Sequence, residues 1–335
     1  MNIRYRIAAL TLLLVTTPVS AQQRSVINLS GMEYNGGKEG GKANFDYAPP
    51  SDATYAAVKA QRFWGVRLPV SQETLQPDPA LAAKGILAEP YASQVVDAAV
   101  RGQKTGLTMI VDLHNYGRYW GNPVNVISTD PAKNIRPMFV KVVAALAKRL
   151  QAADVWGLSI TNEPHDIAVA DLQSVSQDAV NAIRAVGFKG YIFYGDAGWS
   201  TAYDGLQINV KDPLKGGVSC IDVHAYGDGD NSGTYRQAFG KDGATATTIV
   251  DRLKPAIEQG KRDNRCVFVG EIGGPVADAG RRDQVQRAAK YLAANGVDWA
   301  YWTAGEWSSN DPNSVQPAFT NNAASTMLNS LPGNR

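Results

Sequence analysis

Cysteine and histidine are both scarce in these 335 residues: Cys220 and Cys266 are the only two cysteines, and His114, His165 and His224 the only three histidines. A catalytic zinc can use three histidines. Here no His-Glu-x-x-His pair exists, and His165 sits in an Asn-Glu-Pro-His-Asp string where it is expected to order a loop, so neither a metal nor another cofactor is expected. No Gly-x-Ser-x-Gly elbow occurs, which argues against a serine nucleophile. Lysine and arginine form no run and no basic helix face, and the net charge is only +2, so nucleic acid is not an expected partner. No segment rich in Ser, Thr or Pro reads as a linker, and no literal repeat is present, which leaves one domain without an appended binding module. Beyond the first residues, no apolar stretch is long enough for a membrane span.

What is present begins with an export pattern. Arg4 and Arg6 precede an apolar run over residues 7–15, and Val19-Ser20-Ala21 is a small-residue cleavage pattern before Gln22. Residues 1–21 are therefore expected to be a signal peptide, and 22–335 a single catalytic domain, secreted or periplasmic, free of the membrane and monomeric. With 44% hydrophobic and 19% charged residues the chain can bury a large core.

Short strand-like runs alternate with helical patterns over almost the whole mature chain, which is the pattern of repeated βαβ units. The runs lie at 26–29, 65–68, 107–113, 155–160, 191–194, 221–225, 266–269 and 299–303. Between them Phe139, Val142, Val143, Leu146 and Leu150 fall at helical spacing, as do Ile249, Val250, Leu253 and Ile257. Eight strands predict an α/β fold, a closed (β/α)8 TIM barrel; a doubly wound open sheet is the alternative. Cys220 and Cys266 would then lie on neighbouring strands in an oxidising compartment, so a disulfide is expected, with two buried free thiols as the other reading.

Nearly every unusual polar or aromatic cluster follows a strand-like run: Arg67, His114-Asn115-Tyr116, Asn162-Glu163, Trp199, His224 with Tyr226, Glu271 and Trp302. In a barrel these ends converge on one rim. A carboxylate at the end of a buried strand is aimed and partly desolvated, which separates the pKa values of two such acids. Glycoside hydrolysis needs that division, one acid protonating the leaving oxygen and its partner attacking the sugar carbon. Asn162 can then donate to a sugar hydroxyl, and Arg67 can hold Glu271 ionised. His224 and Tyr226, two apart, can face the same pocket. Tyr116, Tyr119, Trp120, Trp199, Trp302 and Trp307 are the aromatic candidates for a sugar-binding cleft.

The strings DLHNYGRY (112–119), NEPHD (162–166), DVHAY (222–226) and VGEIGG (269–274), with Arg67 before them and Trp302 after, resemble glycoside hydrolase family 5, and within it the endo-β-1,4-glucanase branch. The resemblance covers most of the mature chain. It implies a retaining mechanism on a β-glucan, with Glu163 as acid/base and Glu271 forming a covalent glycosyl-enzyme. It also implies Asn162 on the 2-hydroxyl, Arg67 and Tyr226 around the nucleophile, His114 and His224 lining the cleft, and Trp302 under the sugar at the cleaved bond. Two stretches depart from the pattern, Glu306-Trp307 after Trp302 and the early loop at 36–42, and they leave the outer subsites and the preferred glucan open. Mannan, xyloglucan or mixed-linkage glucan are the alternative substrates, and a non-catalytic carbohydrate-binding barrel is the alternative of another class. The early loop also matches phosphate-loop spacing at Gly36, Gly41 and Lys42. Ala43 stands where the magnesium-binding Ser or Thr would be, and Pro49 and Pro50 follow where a helix should run, so a flexible cleft edge is expected there instead.

Overall fold

The structure is a computed structural model that describes residues 23–36, 41–316, 327, 328 and 331. The expected signal peptide and residues 37–40 of the early loop lie outside the described residues. Eight parallel strands close into a barrel: β1 (Ser25–Leu29), β2 (Gly65–Val70), β3 (Thr108–Leu113), β4 (Gly157–Ser159), β5 (Tyr191–Gly195), β6 (Ser219–His224), β7 (Val267–Ile272) and β8 (Trp299–Ala304). β8 pairs with β1 through Ser25↔Trp299 and Val26↔Ala300, so the open-sheet alternative falls.

Among the described residues, six long helices pack outside: α1 (Asp52–Ala60), α2 (Tyr91–Lys104), α3 (Ile135–Leu150), α4 (Val169–Ala185), α5 (Thr248–Arg262) and α6 (Ala279–Asn295). Their buried stripes are those the helical spacing marks, with Phe139, Val142, Val143, Leu146 and Leu150 on α3 and Ile249, Leu253 and Ile257 on α5. Helices do not follow every strand. Residues 196–218, between β5 and β6, form a loop in which Gly198, Gly205 and Gly216 take positive φ. The buried Asp196 carboxylate organises it by accepting the backbone N–H groups of Ala197, Gln207 and Ile208. One buried side chain thereby satisfies backbone that a helix would otherwise pair internally.

The strands' period of two sorts the barrel interior into layers. Val26, Ile110, Phe193 and Phe268, from the alternate strands β1, β3, β5 and β7, form one apolar cluster with Cys220 and Ala300. Gly157 leaves room for it, since a Cβ there would stand 2.5 Å from the Phe193 ring. Two residues on from Val26, Ile110 and Cys220 the interior positions turn polar, with Asn28, Asp112 and Asp222 all fully buried. That polar layer is the floor of the rim.

Cys220 and Cys266 are bridged, with Cα atoms 4.6 Å apart. They face each other one step before the Ile221↔Val267 pair that joins β6 to β7. Closing a segment with a sequence separation of 46 constrains the unfolded chain by about 4 kcal/mol. The Cys220→Ser, Cys266→Ser double variant is expected to lose up to about that much in denaturant unfolding while keeping its barrel. Counting free thiols in the denatured, unreduced protein should give none.

Candidate active site

The C-terminal strand ends deliver the two glutamates. Past β4 the backbone stays tied to its neighbours, with Asn162 N–H donating to Leu113 O at 3.2 Å and Gly195 N–H to Thr161 O at 3.1 Å. Glu163 follows at φ 43°, a left-handed backbone that costs a non-glycine residue about 1–3 kcal/mol and that surrounding contacts must hold. Its side chain keeps 19% exposure, whereas Glu271, inside the end of β7, keeps 4%. A register shift between Val223 and His224 sets His224 opposite Glu271, the kind of bulge that re-aims a side chain. One donor atom from each of Glu163, His224 and Glu271 lies within 4.8 Å of the others.

Both Glu271 oxygens receive donors. Arg67 Nη1 donates to Oε1 at 3.1 Å and the Tyr226 hydroxyl to Oε2 at 2.5 Å. Arg67 is fully buried and also donates to Asn28 Oδ1 at 2.9 Å and Asn162 Oδ1 at 2.8 Å, with Asp112 at 3.0 Å and Asp222 at 3.5 Å. Burial opposes its charge, but Asp112, Asp222 and Glu271 outweigh that and raise its pKa. Arginine can only donate, so Asn162 must turn its oxygen to Arg67 and its NH2 to the other side, 3.4 Å from His114 Nε2.

His224 Nδ1 stands 2.8 Å from Glu163 Oε1 and 3.6 Å from Glu271 Oε2. Burial works to lower its pKa, yet Glu271, Asp222 and the bond to Glu163 lift it to about 10. His114 is lifted in the same sense, against its burial, by Asp112 bonded at 3.0 Å. Burial pushes the Glu271 carboxyl up and Glu163 adds to this, while His224 and Arg67 pull it back. Glu163, His224 and Glu271 could offer three donors to a metal ion, but the Arg67 cation at 3.1 Å and a protonated imidazole both oppose one.

Aromatic rings rise beside the carboxylates. His114 stacks on Trp302 at 5.4 Å and meets Tyr116 edge-on at 5.3 Å. Tyr116 in turn meets Trp199 at 6.2 Å. Trp302 donates its indole N–H to Asp311 Oδ2 at 2.9 Å.

Asn115 is not brought to the cleft. Its amide donates to Gln72 Oε1 and Ile160 O, and its oxygen accepts the Gly117 N–H, so it ties loops together. Tyr119 is fully buried, its hydroxyl on Gln76 O, and Trp120 packs against it. Glu306 turns to α1, accepting the Ser51 N–H at 2.8 Å and the Thr54 hydroxyl at 2.5 Å. The sequence reading missed Asn28, Asp112 and Asp222 as partners of Arg67. Their signal was available: each is a polar residue two positions on from a barrel-filling one in an apolar strand. Glu33 and Asp311, in loops, carried no such signal.

A closed parallel barrel with two carboxylates within 4.8 Å at its C-terminal rim, one held by arginine and tyrosine, defines the class: a glycoside hydrolase. Residues 19–308 match the family described as cellulase, glycosyl hydrolase family 5, and the chain belongs to that family. It is 26% identical to endo-β-1,4-glucanase A of Emericella nidulans, over 84% of this chain and 82% of that protein. It is 28% identical to a probable endo-β-1,4-glucanase B of Neosartorya fischeri, over 87% and 85%. Among solved structures it is similar to an endo-β-1,4-glucanase of Xanthomonas axonopodis pv. citri, with a TM-score of 0.79 and 26% identity over 91% of this chain and 98% of that one. The endoglucanase Cel5A of Pseudomonas stutzeri, also solved with cellobiose bound, gives 0.79 and 25% over 91% and 92%.

Proposed function

We propose that this chain is an endo-β-1,4-glucanase that cuts internal bonds of cellulose or a related β-glucan by double displacement. The observation that carries the proposal is the carboxylate spacing: oxygens of Glu163 and Glu271 lie within 4.8 Å. Retaining enzymes place the pair about 5–5.5 Å apart, whereas inverting ones need about 6.5–9.5 Å to admit a water. Glu163, the more exposed, protonates the glycosidic oxygen as Glu271 attacks the anomeric carbon, so the C–O bond breaks while a glycosyl ester forms. Glu163, now a base, takes a proton from water, which attacks the same carbon and frees Glu271. Arg67 and Tyr226 keep Glu271 an acceptor, Asn162 offers its NH2 to the 2-hydroxyl, and Trp302 lies beneath the reacting sugar.

The test is the anomeric signal of the first products from a soluble β-1,4-glucan, followed by proton NMR. β-anomer appearing first supports double displacement, and α-anomer appearing first overturns it. Endo action is read as viscosity of carboxymethyl-cellulose falling faster than reducing ends appear, with mannan and xyloglucan run beside it. Export is part of the proposal, supported by the N-terminal pattern and by a disulfide, which persists in oxidising compartments. Among the described residues, no helix is long and apolar enough to cross a membrane.

A pH effect follows from the burial of Glu271. The nucleophile must be ionised, and its pKa is raised, so the acid limb of kcat/KM should lie above the ordinary glutamate range, with activity lost as pH falls through it. Tyr226→Phe removes a donor to the anion and should move that limb to still higher pH. A limb unmoved in Tyr226→Phe would mean that another group sets it.

A further inference from the structure

β6 ends at His224, and the last sheet bond beyond it runs from the Ala225 N–H to Glu271 O at 3.0 Å. Tyr226, whose hydroxyl donates to the Glu271 carboxylate, therefore stands past the ladder that aims the other residues of these strand ends. Buried backbone there must find its partners elsewhere. The Tyr226 N–H donates to Asn231 Oδ1 at 2.7 Å, and its carbonyl accepts from Arg252 Nη1 at 2.5 Å.

Arg252 comes from α5, outside the barrel. Its Nη1 also donates to Asp228 O at 2.7 Å and Asn231 Oδ1 at 3.2 Å, and its Nη2 to Gly229 O at 3.0 Å. A guanidinium only donates, in a fixed fork, so one side chain gathers three carbonyls and an amide oxygen of the turn at 226–231. Tyr203, from the loop between β5 and β6, covers it with its ring centre 5.8 Å from Arg252 Cζ. The gathered turn folds back over the Tyr226 ring: Gly233 takes φ 69°, and a Cβ there would stand 2.9 Å from the ring. Asn313 holds that glycine by donating to its carbonyl at 3.1 Å. Tyr235 ties the turn to the strand end of Glu271, accepting the Gly227 N–H at 2.8 Å and donating to Gly273 O at 2.5 Å.

We propose that Arg252 is a positioning residue for the reaction: by gripping the turn after β6 it holds the Tyr226 hydroxyl on the nucleophile Glu271. Its hydrogen bonds end on this turn and not on the carboxylates, so its effect passes through Tyr226. The role rests on the double-displacement reading, in which Glu271 is an anion that Tyr226 stabilises.

Arg252→Met keeps the side chain's length and removes its donors, whereas Arg252→Lys keeps a cation with fewer of them. Both are compared with wild type, with Tyr226→Phe and with the Arg252→Met, Tyr226→Phe double variant, measuring kcat and KM on a soluble β-1,4-glucan across pH. A loosened hydroxyl should lower kcat about 10-fold in Arg252→Met with KM little changed, short of the roughly 100-fold that a 1 Å misplacement can cost. The acid limb of kcat/KM should move to higher pH, in the direction of Tyr226→Phe, with Arg252→Lys between Arg252→Met and wild type. In the Tyr226→Phe background Arg252→Met should move the limb no further, because residues that act through one contact do not add. A folded, active Arg252→Met enzyme with its limb in place, or a shift that adds in full to that of Tyr226→Phe, would overturn the positioning role alone. If Arg252→Met does not fold, Asn231→Ala removes the acceptor that Tyr226 and Arg252 share and carries the same expected shift, and an unmoved limb there overturns the role equally. A wild type that releases no reducing ends from any β-glucan would overturn the reaction itself, and the role with it.

Discussion

Glu271→Ala is expected to cut kcat on β-glucan by about 10^5-fold, on the scale of removing a nucleophile elsewhere, with little change in KM. The substitution removes the atom that bonds to the anomeric carbon, while Trp302, Asn162 and Glu163 still receive the sugar. The barrel should survive it. Arg67 loses one partner but keeps Asp112 at 3.0 Å, Asp222 at 3.5 Å and the oxygens of Asn28 and Asn162, so no buried cation is left bare. Glu271→Gln keeps the shape and still offers Tyr226 an acceptor, yet an amide does not displace the leaving sugar, so it should be nearly as inactive. Glu271→Asp keeps the charge but draws it back by one methylene, and a misplacement of that order costs about 10^2-fold. The ordering Asp above Gln and Ala, read from initial rates of reducing-end release, identifies a nucleophile rather than a structural carboxylate. Glu271→Ala retaining a tenth of wild-type activity would move the role to another group.

The glutamates were legible from sequence because each ends an apolar strand, and a parallel barrel gathers strand ends that lie 108 positions apart in the chain, from 163 to 271. Arg67, His224 and Tyr226 were legible for the same reason. The disulfide followed from adjacency of β6 and β7. What the sequence did not disclose depends on direction and not on position. Asn115 shares its strand end with His114 and Tyr116, but its amide matches the orphan groups of Gln72, Ile160 and Gly117, so it faces the loops. Tyr119 belongs to the same string but turns inward, where its hydroxyl donates to Gln76 O and its backbone pairs with Asn122 across a two-residue turn. The loop between β5 and β6 has no periodic pattern to disclose its shape, which Asp196 sets by accepting three N–H groups. The buried acids around Arg67 also act on the two histidines of the rim. Asp112, Asp222 and Glu271 crowd three carboxylates around one arginine, and, against burial, the pKa of His114 is raised by Asp112 and Glu271, that of His224 by Glu271 and Asp222.

Glu163→Ala should separate two kinds of substrate. On β-glucan the leaving oxygen is an alkoxide unless protonated, so loss of the acid is expected to cost about 10^2- to 10^4-fold. On a dinitrophenyl β-cellobioside the leaving group departs as a stable anion, and Glu271 can attack without help. The first step then stays fast. The second step does not, because Glu163 is also the base that takes the proton from water, so the glycosyl-enzyme accumulates. The expected record is a burst of dinitrophenolate equal to the enzyme concentration, a slow steady rate after it, a lowered KM, and a mass increase of one cellobiosyl group on Glu271. His224 loses its 2.8 Å partner in this variant but keeps Glu271 and Asp222 at 3.6 Å, so the nucleophile's surroundings persist. If both substrates slow alike and no adduct forms, Glu163 does not donate the proton, and the exposed side of the pair has been given the wrong task.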